Sequence, residues 1–339
     1  YHLILILLEN YGGGRPPSGD YQMASMAIIE SENGRSRFSN GFAAASQVGI
    51  KVRGSSTGGR SKASLSLEVQ DEFGEDKNLP LLGMPRESDW VLWGPYNFDR
   101  TLMHNPFIFE LSRQIGRYAP RTRFVELYLN TGGGPLSSAD YYGVYALMEK
   151  ISRDADRVDV ERLFEEHNKE PDVSGGYILK IDRADPGDSG FSAGRQNIKY
   201  VYPKEMEMEL PERDAQQQYI RQFLNQMGDA LYASYFKDPT RGYAKYIDVE
   251  AAIDHHLLNV VAFNVDALRL SGYMYKPRGG KLTFGPIWDF DRALGSTDGR
   301  DNNPRTWRST SGDRGTDFFN YPWCNRMFRD IDFFQKYID

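Results

Sequence analysis

The chain has 339 residues, 40% hydrophobic and 26% charged, enough to bury a real core and too apolar for a disordered tract. Its 47 acidic and 41 basic residues leave a net charge of −6, which argues against a nucleic-acid partner because phosphate binding leaves a basic footprint. The one cysteine, Cys324, excludes an internal disulfide and a thiolate metal cage.

In chain order, the apolar run Leu3–Leu8 has no basic flank before it and is too short to cross a bilayer. It reads as a buried strand, and no membrane span is expected in the chain. Val48–Val52, the alternating Leu65–Val69, Phe124–Leu129 and Tyr142–Met148 carry strand patterns. A helix is predicted over Asn105–Gly116, where Phe107, Ile108, Leu111 and Ile115 share a face. Residues 1–150 are therefore expected to form a small β-rich lobe.

Beyond residue 150 the helical period dominates. Glu212–Tyr235 places Ile220, Phe223, Leu224, Met227 and Leu231 on one side, and Val249–Asn264 follows Asp248 as an N-cap. Gly272–Lys276 and Lys281–Phe284 read as a hairpin joined through Arg278-Gly279-Gly280, and the tail from Arg326 is helical again. The fold class expected is α+β, with residues 151–339 as a large, mainly helical lobe whose domain continues past residue 339.

Chemistry concentrates in Asn264–Gly295. Asp266 follows a helix end, Ser271 comes five residues later, and Asp289 closes the hairpin. Protein kinases use this order: a catalytic-loop Asp, a metal ligand, a hairpin and a second Asp that holds Mg²⁺. A transferred phosphoryl group is densely anionic, so one carboxylate must hold the bridging metal and another must orient the attacking hydroxyl. Asp289, Ser271 (where kinases have Asn) and Asp291 are the candidate metal ligands. In the plainer reading Asp266 caps a turn and Asp289 pairs with Arg292 at the surface.

A second constellation runs Arg53-Gly54-Ser55-Ser56-Thr57-Gly58-Gly59-Arg60-Ser61-Lys62. Amides of such a loop cradle phosphates and a strand lysine reaches their oxygens. The glycine spacing is neither that of a P-loop nor the kinase G-x-G-x-x-G, and a plain hairpin loop is the alternative. Glu110 is a candidate partner for Lys62, or else a solvated charge. Met148 and Glu149 end a strand where backbone groups would meet an adenine ring. His255 and His256 are adjacent and point to different sides of a helix, so they cannot share one ion.

Taken together these blocks resemble the CotH kinase family, named for a bacterial spore-coat protein. The resemblance rests on eight blocks in order. They are Val52-Arg53-Gly54-Ser55-Ser56 with Lys62, Leu81–Pro85 through Ser88-Asp89-Trp90, Tyr118–Thr122, and Tyr142–Tyr145 with Met148–Ile151. Gly175–Ile178, Asn264-Val265-Asp266 with Arg269-Leu270-Ser271, Tyr273–Lys276 and Trp288–Asp291 complete the set. The resemblance implies a two-lobed, protein-kinase-like fold, ATP with Mg²⁺ or Mn²⁺, and phosphorylation of Ser or Thr on secreted, surface or coat proteins. It implies that Asp289 binds metal and that Lys62, Asp266, Arg269 and Ser271 line the cleft, with Arg53, Ser55 and Ser56 on the nucleotide side. His104 and Pro106 depart from the pattern, where an Arg and an ordinary helix former are expected. The alternative function is a catalytically inactive coat or surface protein that uses the same fold for adhesion or assembly.

Overall fold

The structure is a computed structural model, described for residues 1–54, 57–94, 96–183, 190–303, 305, 306, 308, 309 and 316–339. Ser55 and Ser56 lie outside the described residues. The chain forms two compact units, Tyr1–Pro106 with Pro120–Lys150, and Phe107–Ala119 with Ile151–Asp339.

The first unit is built on β1 (Ile4–Glu9), β2 (Gln22–Ile29), β3 (Ala44–Arg53), β4 (Ser64–Gln70), β5 (Asp89–Trp93), β6 (Thr122–Asn130) and β7 (Tyr141–Glu149). They close into a barrel of order β1-β2-β3-β4-β5-β7-β6. All neighbours are antiparallel except β1 and β6, which run parallel from Ile4↔Val125 to Glu9↔Asn130 and seal the sheet. Closure removes both edges, which would otherwise offer unpaired backbone to other chains. Alternating residues fill the interior, among them Ile6, Leu8, Val48, Ile50, Leu65, Leu67, Trp90, Val125 and Leu147. The Leu3–Leu8 run is therefore a barrel strand, with Leu5, Ile6 and Leu8 buried.

Helix α1 (His104–Gln114) starts under Asp99. The fully buried Asp99 accepts from the His104 amide at 2.8 Å and from the Thr101 amide at 2.9 Å. His104 Nε2 lies 3.4 Å from the same carboxylate, and Pro106 sits in the first turn, where a missing N–H costs nothing.

In the second unit β8 (Tyr177–Ile181), β9 (Phe191–Ala193), β10 (Gln196–Tyr202), β11 (Gly272–Lys276) and β12 (Thr283–Phe284) form an antiparallel sheet of order β12-β11-β8-β10-β9. The short α2 (Glu205–Met208) precedes α3 (Asp214–Tyr232), which buries Ile220, Leu224, Met227 and Leu231 at helical spacing. Helix α4 (Val249–Val261) opens under Asp248, whose carboxylate accepts from the Ala251 amide. The two-residue strands β13 (Arg308–Ser309) and β14 (Thr316–Asp317) pair with each other, and α5 (Cys324–Met327) and α6 (Ile331–Ile338) end the chain.

This architecture corrects the expected fold class. The chain is mostly β, with a closed seven-stranded barrel, and it is not a two-lobed kinase-like fold with a mainly helical second half. Among the described residues only α1, α3 and α4 exceed ten residues. Two physical features hid this. The second-unit strands β8 and β9 are short, and β8 is a near-continuous apolar run buried on both faces, which lacks a period-two signature. Barrel closure depends on a long-range parallel pairing that no local pattern encodes.

The pair Gly175-Gly176 fixes how β8 enters the sheet. A Cβ on Gly175 would lie 2.0 Å from the Arg278 amide nitrogen, and Gly176 has φ +93° with no room toward the Glu161 carbonyl. Gly175→Ala is expected to lower stability by about 2–3 kcal/mol, the scale of overpacking against backbone that cannot yield, read as a lower urea midpoint at constant slope.

Candidate functional site

The segment after α4 folds back on the segment after β12. The Leu294 amide donates to the Ala262 carbonyl at 2.8 Å, and the Val265 amide to the Arg292 carbonyl at 3.5 Å. Asn264, 2% exposed, joins the two loops through its side chain. Its Oδ1 accepts from the Asp266 amide at 3.2 Å, while Nδ2 donates to Asn259 Oδ1 at 3.2 Å and reaches the Asp289 carbonyl at 3.5 Å. Five non-glycine residues here hold left-handed backbone: Phe263 (φ +47°), Leu268 (+69°), Ser271 (+49°), Asp289 (+64°) and Leu294 (+57°). Such conformations cost on the order of 1–3 kcal/mol each and cluster where geometry serves function.

Strained backbone brings Ser271 Oγ to 3.4 Å from Asp289 Oδ2, so two of the sequence-predicted ligands meet. Asp291 is 7% exposed and engaged in interactions of its own. Asp266 sits among three arginines. Arg269 donates to Oδ1 at 2.7 Å and Arg300 to the same oxygen at 3.3 Å, whereas Arg292 Nε stands 3.8 Å from Oδ2. One carboxylate oxygen is thus doubly occupied and the other lacks a donor within hydrogen-bond distance among the described residues.

Arg300 also grips Asp298, whose carboxyl is held below the ordinary carboxylate range by that bond first and by the Arg300 and Arg292 charges after it. The Asp298 bond in turn raises the Arg300 guanidinium above its usual value. Asp266 thus stands within a cluster of arginine side chains.

The family model described as CotH kinase protein matches residues 50–339, a span that includes every residue of this loop pair. The chain belongs to the CotH kinase family. Membership implies a kinase-like function and, in general terms, the use of a nucleotide and a metal. No curated protein matches the chain.

Within this CotH kinase chain the metal question turns on the donor set. Among the described residues no three His, Cys, Asp or Glu side chains gather into a ready-made cage. Mg²⁺ needs no such cage, since it usually keeps several waters and takes one or two carboxylates plus substrate phosphates. The Asp289 carboxylate and the Ser271 hydroxyl, 3.4 Å apart, fit that habit and would hold the ion together.

Of the remaining candidates, Lys62, Arg53, Met148 and Glu149 lie in the barrel unit and Glu110 in the second. Lys62 stands in a turn before β4, half-buried, and not in the strand itself. Its Nζ donates to the Val144 carbonyl at 2.6 Å and lies 4.9 Å from the Tyr145 ring centre, and burial lowers its pKa. Arg53 ends β3 opposite Ser64, and Gly54 follows at φ +100°. Arg15 holds the outer loop, donating to the Gly58 and Arg60 carbonyls at 2.7 and 2.9 Å.

Met148 and Glu149 are fully buried, and Glu149 accepts from the Arg121 amide at 2.8 Å and its guanidinium at 2.7 Å. Glu110, on α1 of the second unit, bonds Arg113 at 2.5 Å and Gln114 at 3.1 Å on its own helix.

Sequence reasoning assigned no role to Asn264, Asp298 or Arg300. Asn264 opens the Asn264-Val265-Asp266 motif, and an asparagine just past a helix end is the signal that points to it. Arg300 is separated from Asp266 by 34 positions, with no local signal. Asn264→Ala removes the tie and leaves the Asp266 amide without its side-chain acceptor. A loss of about 2 kcal/mol is expected in urea unfolding, and an unchanged midpoint would deny the tie any weight.

Proposed function

We propose that this protein is an ATP- and Mg²⁺-dependent phosphotransferase acting on Ser or Thr of secreted, surface or coat proteins. The observation that carries the proposal is the Asn264 staple, which ties the loop of Asp266 to the loop where Asp289 meets Ser271. A bound Mg²⁺, or Mn²⁺ in its place, would offset the negative charge of the transferred phosphoryl group. Asp289 and Ser271 are the residues to hold it, and Asp291 supports that end of the loop.

Asp266 Oδ2, the less occupied oxygen, accepts the hydrogen of the attacking hydroxyl and orients it. Arg269 and Arg300 fix the carboxylate through Oδ1, so rotation cannot spoil that aim. Arginine charge beside the acceptor also favours an anionic transition state. On the barrel, Lys62 and the Arg53-Gly54 turn are the phosphate contacts we assign. No helix among the described residues is long and apolar enough to cross a membrane, which is compatible with an extracytoplasmic acceptor.

The test is transfer of radiolabelled phosphate from ATP, with Mg²⁺ or Mn²⁺, to this chain or to a Ser-rich coat protein. Acid-stable label on Ser or Thr is expected. Nucleotide binding without transfer to any hydroxyl acceptor would favour the inactive, assembly role instead.

A further inference from the structure

Helix α4 carries two adjacent buried histidines with opposite situations. His256 is fully satisfied, its Nδ1 bonded to the Tyr337 hydroxyl at 2.8 Å and its Nε2 to the Phe318 carbonyl at 3.0 Å. His255 is 7% exposed, and its imidazole takes no hydrogen bond among the described residues. Burial drives its pKa down to about 4, so at neutral pH it is an uncharged ring with one donor and one acceptor. Its polar edge is therefore available to a group placed beside it.

That ring lines a cavity of about 220 Å³ within the second unit. Val158, Leu258, Phe284 and Ile287 give the cavity apolar walls, and Tyr118 and Tyr275 add aromatic surface. Three charged side chains also line it. Arg117 is paired with Asp254 at 2.7 Å and Asp159 is exposed, while Arg157, 4% exposed, donates from Nη1 to Ser152 Oγ at 3.4 Å and its Nη2 takes no hydrogen bond among the described residues. A fully apolar cavity of about 150 Å³ takes up benzene, so this one has room for one or two rings.

We propose that this cavity is a binding site for a planar aromatic ligand of one or two rings, carrying one hydrogen-bonding group for the His255 imidazole. The walls supply the area, and His255 fixes orientation, the division of labour found in small-molecule pockets. A cationic ligand is disfavoured because the buried Arg157 guanidinium lines the space. The site uses none of the residues assigned to phosphotransfer, so the inference stands independently of that reading.

Phenol and indole are the probes, titrated onto the full chain without nucleotide and followed by ¹⁵N resonances of the histidine rings. Saturable binding of at least one probe is expected, with the His255 ring shifting and the His256 ring moving far less. His255→Phe, which fills part of the space, should weaken binding at least ten-fold, and Leu258→Phe, which narrows the cavity from a wall, should do the same. No saturable binding of either probe up to its solubility would overturn the proposal. So would saturable binding that leaves the His255 ring unmoved, because the ligand would then lie elsewhere or water alone would serve His255.

Discussion

Asp289→Ala is expected to reduce phosphate transfer by about three to four orders of magnitude, a loss of roughly 4–5 kcal/mol of transition-state stabilisation. The residue is the carboxylate at the Ser271 contact, and its φ of +64° aims it there. Ala at that φ is also strained, so folding must be checked by thermal unfolding, and Asp289→Asn separates the effects. Asn tolerates the left-handed region and preserves the backbone while removing the anionic ligand, so activity should remain as low as in the Ala variant with a near-native melting temperature.

Ser271→Asn is the informative companion, because it places at this position the amide that protein kinases use. Asn suits the +49° backbone at least as well as Ser, and its carbonyl oxygen is a competent Mg²⁺ ligand. Transfer should stay within about ten-fold of the unaltered chain, with a changed Mg²⁺ concentration dependence. Full activity in Asp289→Asn would remove the metal-holding role from this carboxylate.

How much of this was legible beforehand follows from the range of each interaction. Local patterns announced β1, β3, β4, β6 and β7, helices α1, α3 and α4, and the Asp248 cap, because period and capping are encoded within a few residues. The spacing of Asp266, Ser271 and Asp289 also pointed to one loop pair, and the structure joins them through Asn264. Three things were not legible. The parallel β1–β6 seam spans over a hundred positions, the guanidinium shell of Asp266 recruits Arg300 from a distant loop, and β8 lacks any alternation. Glu110 shows the converse limit, since helical spacing predicts its bond to Gln114 as well as any functional partner.

The two histidines of α4 also make the protein acid-sensitive in a window that can be named. Burial pushes both His255 and His256 down to about 4. For His255 the neighbouring ring adds to the effect, and for His256 the Phe318 carbonyl partly opposes it. An unfolded chain protonates these rings near pH 6.5. Between about pH 6.5 and 4 the unfolded state therefore binds more protons than the folded state, and stability falls as the pH is lowered.

Each ring contributes on the order of 3 kcal/mol to that fall, a large share of the stability of an ordinary domain. Urea unfolding at stepped pH values should show the loss beginning near pH 6.5 and steepening toward pH 4. The double substitution His255→Phe with His256→Gln should flatten that slope. Gln keeps a donor for the Phe318 carbonyl and an acceptor for the Tyr337 hydroxyl, so the neutral-pH stability need not collapse. An equally steep decline in the double variant would assign acid lability to carboxylates such as Asp298, whose lowered pKa acts in the same direction at lower pH.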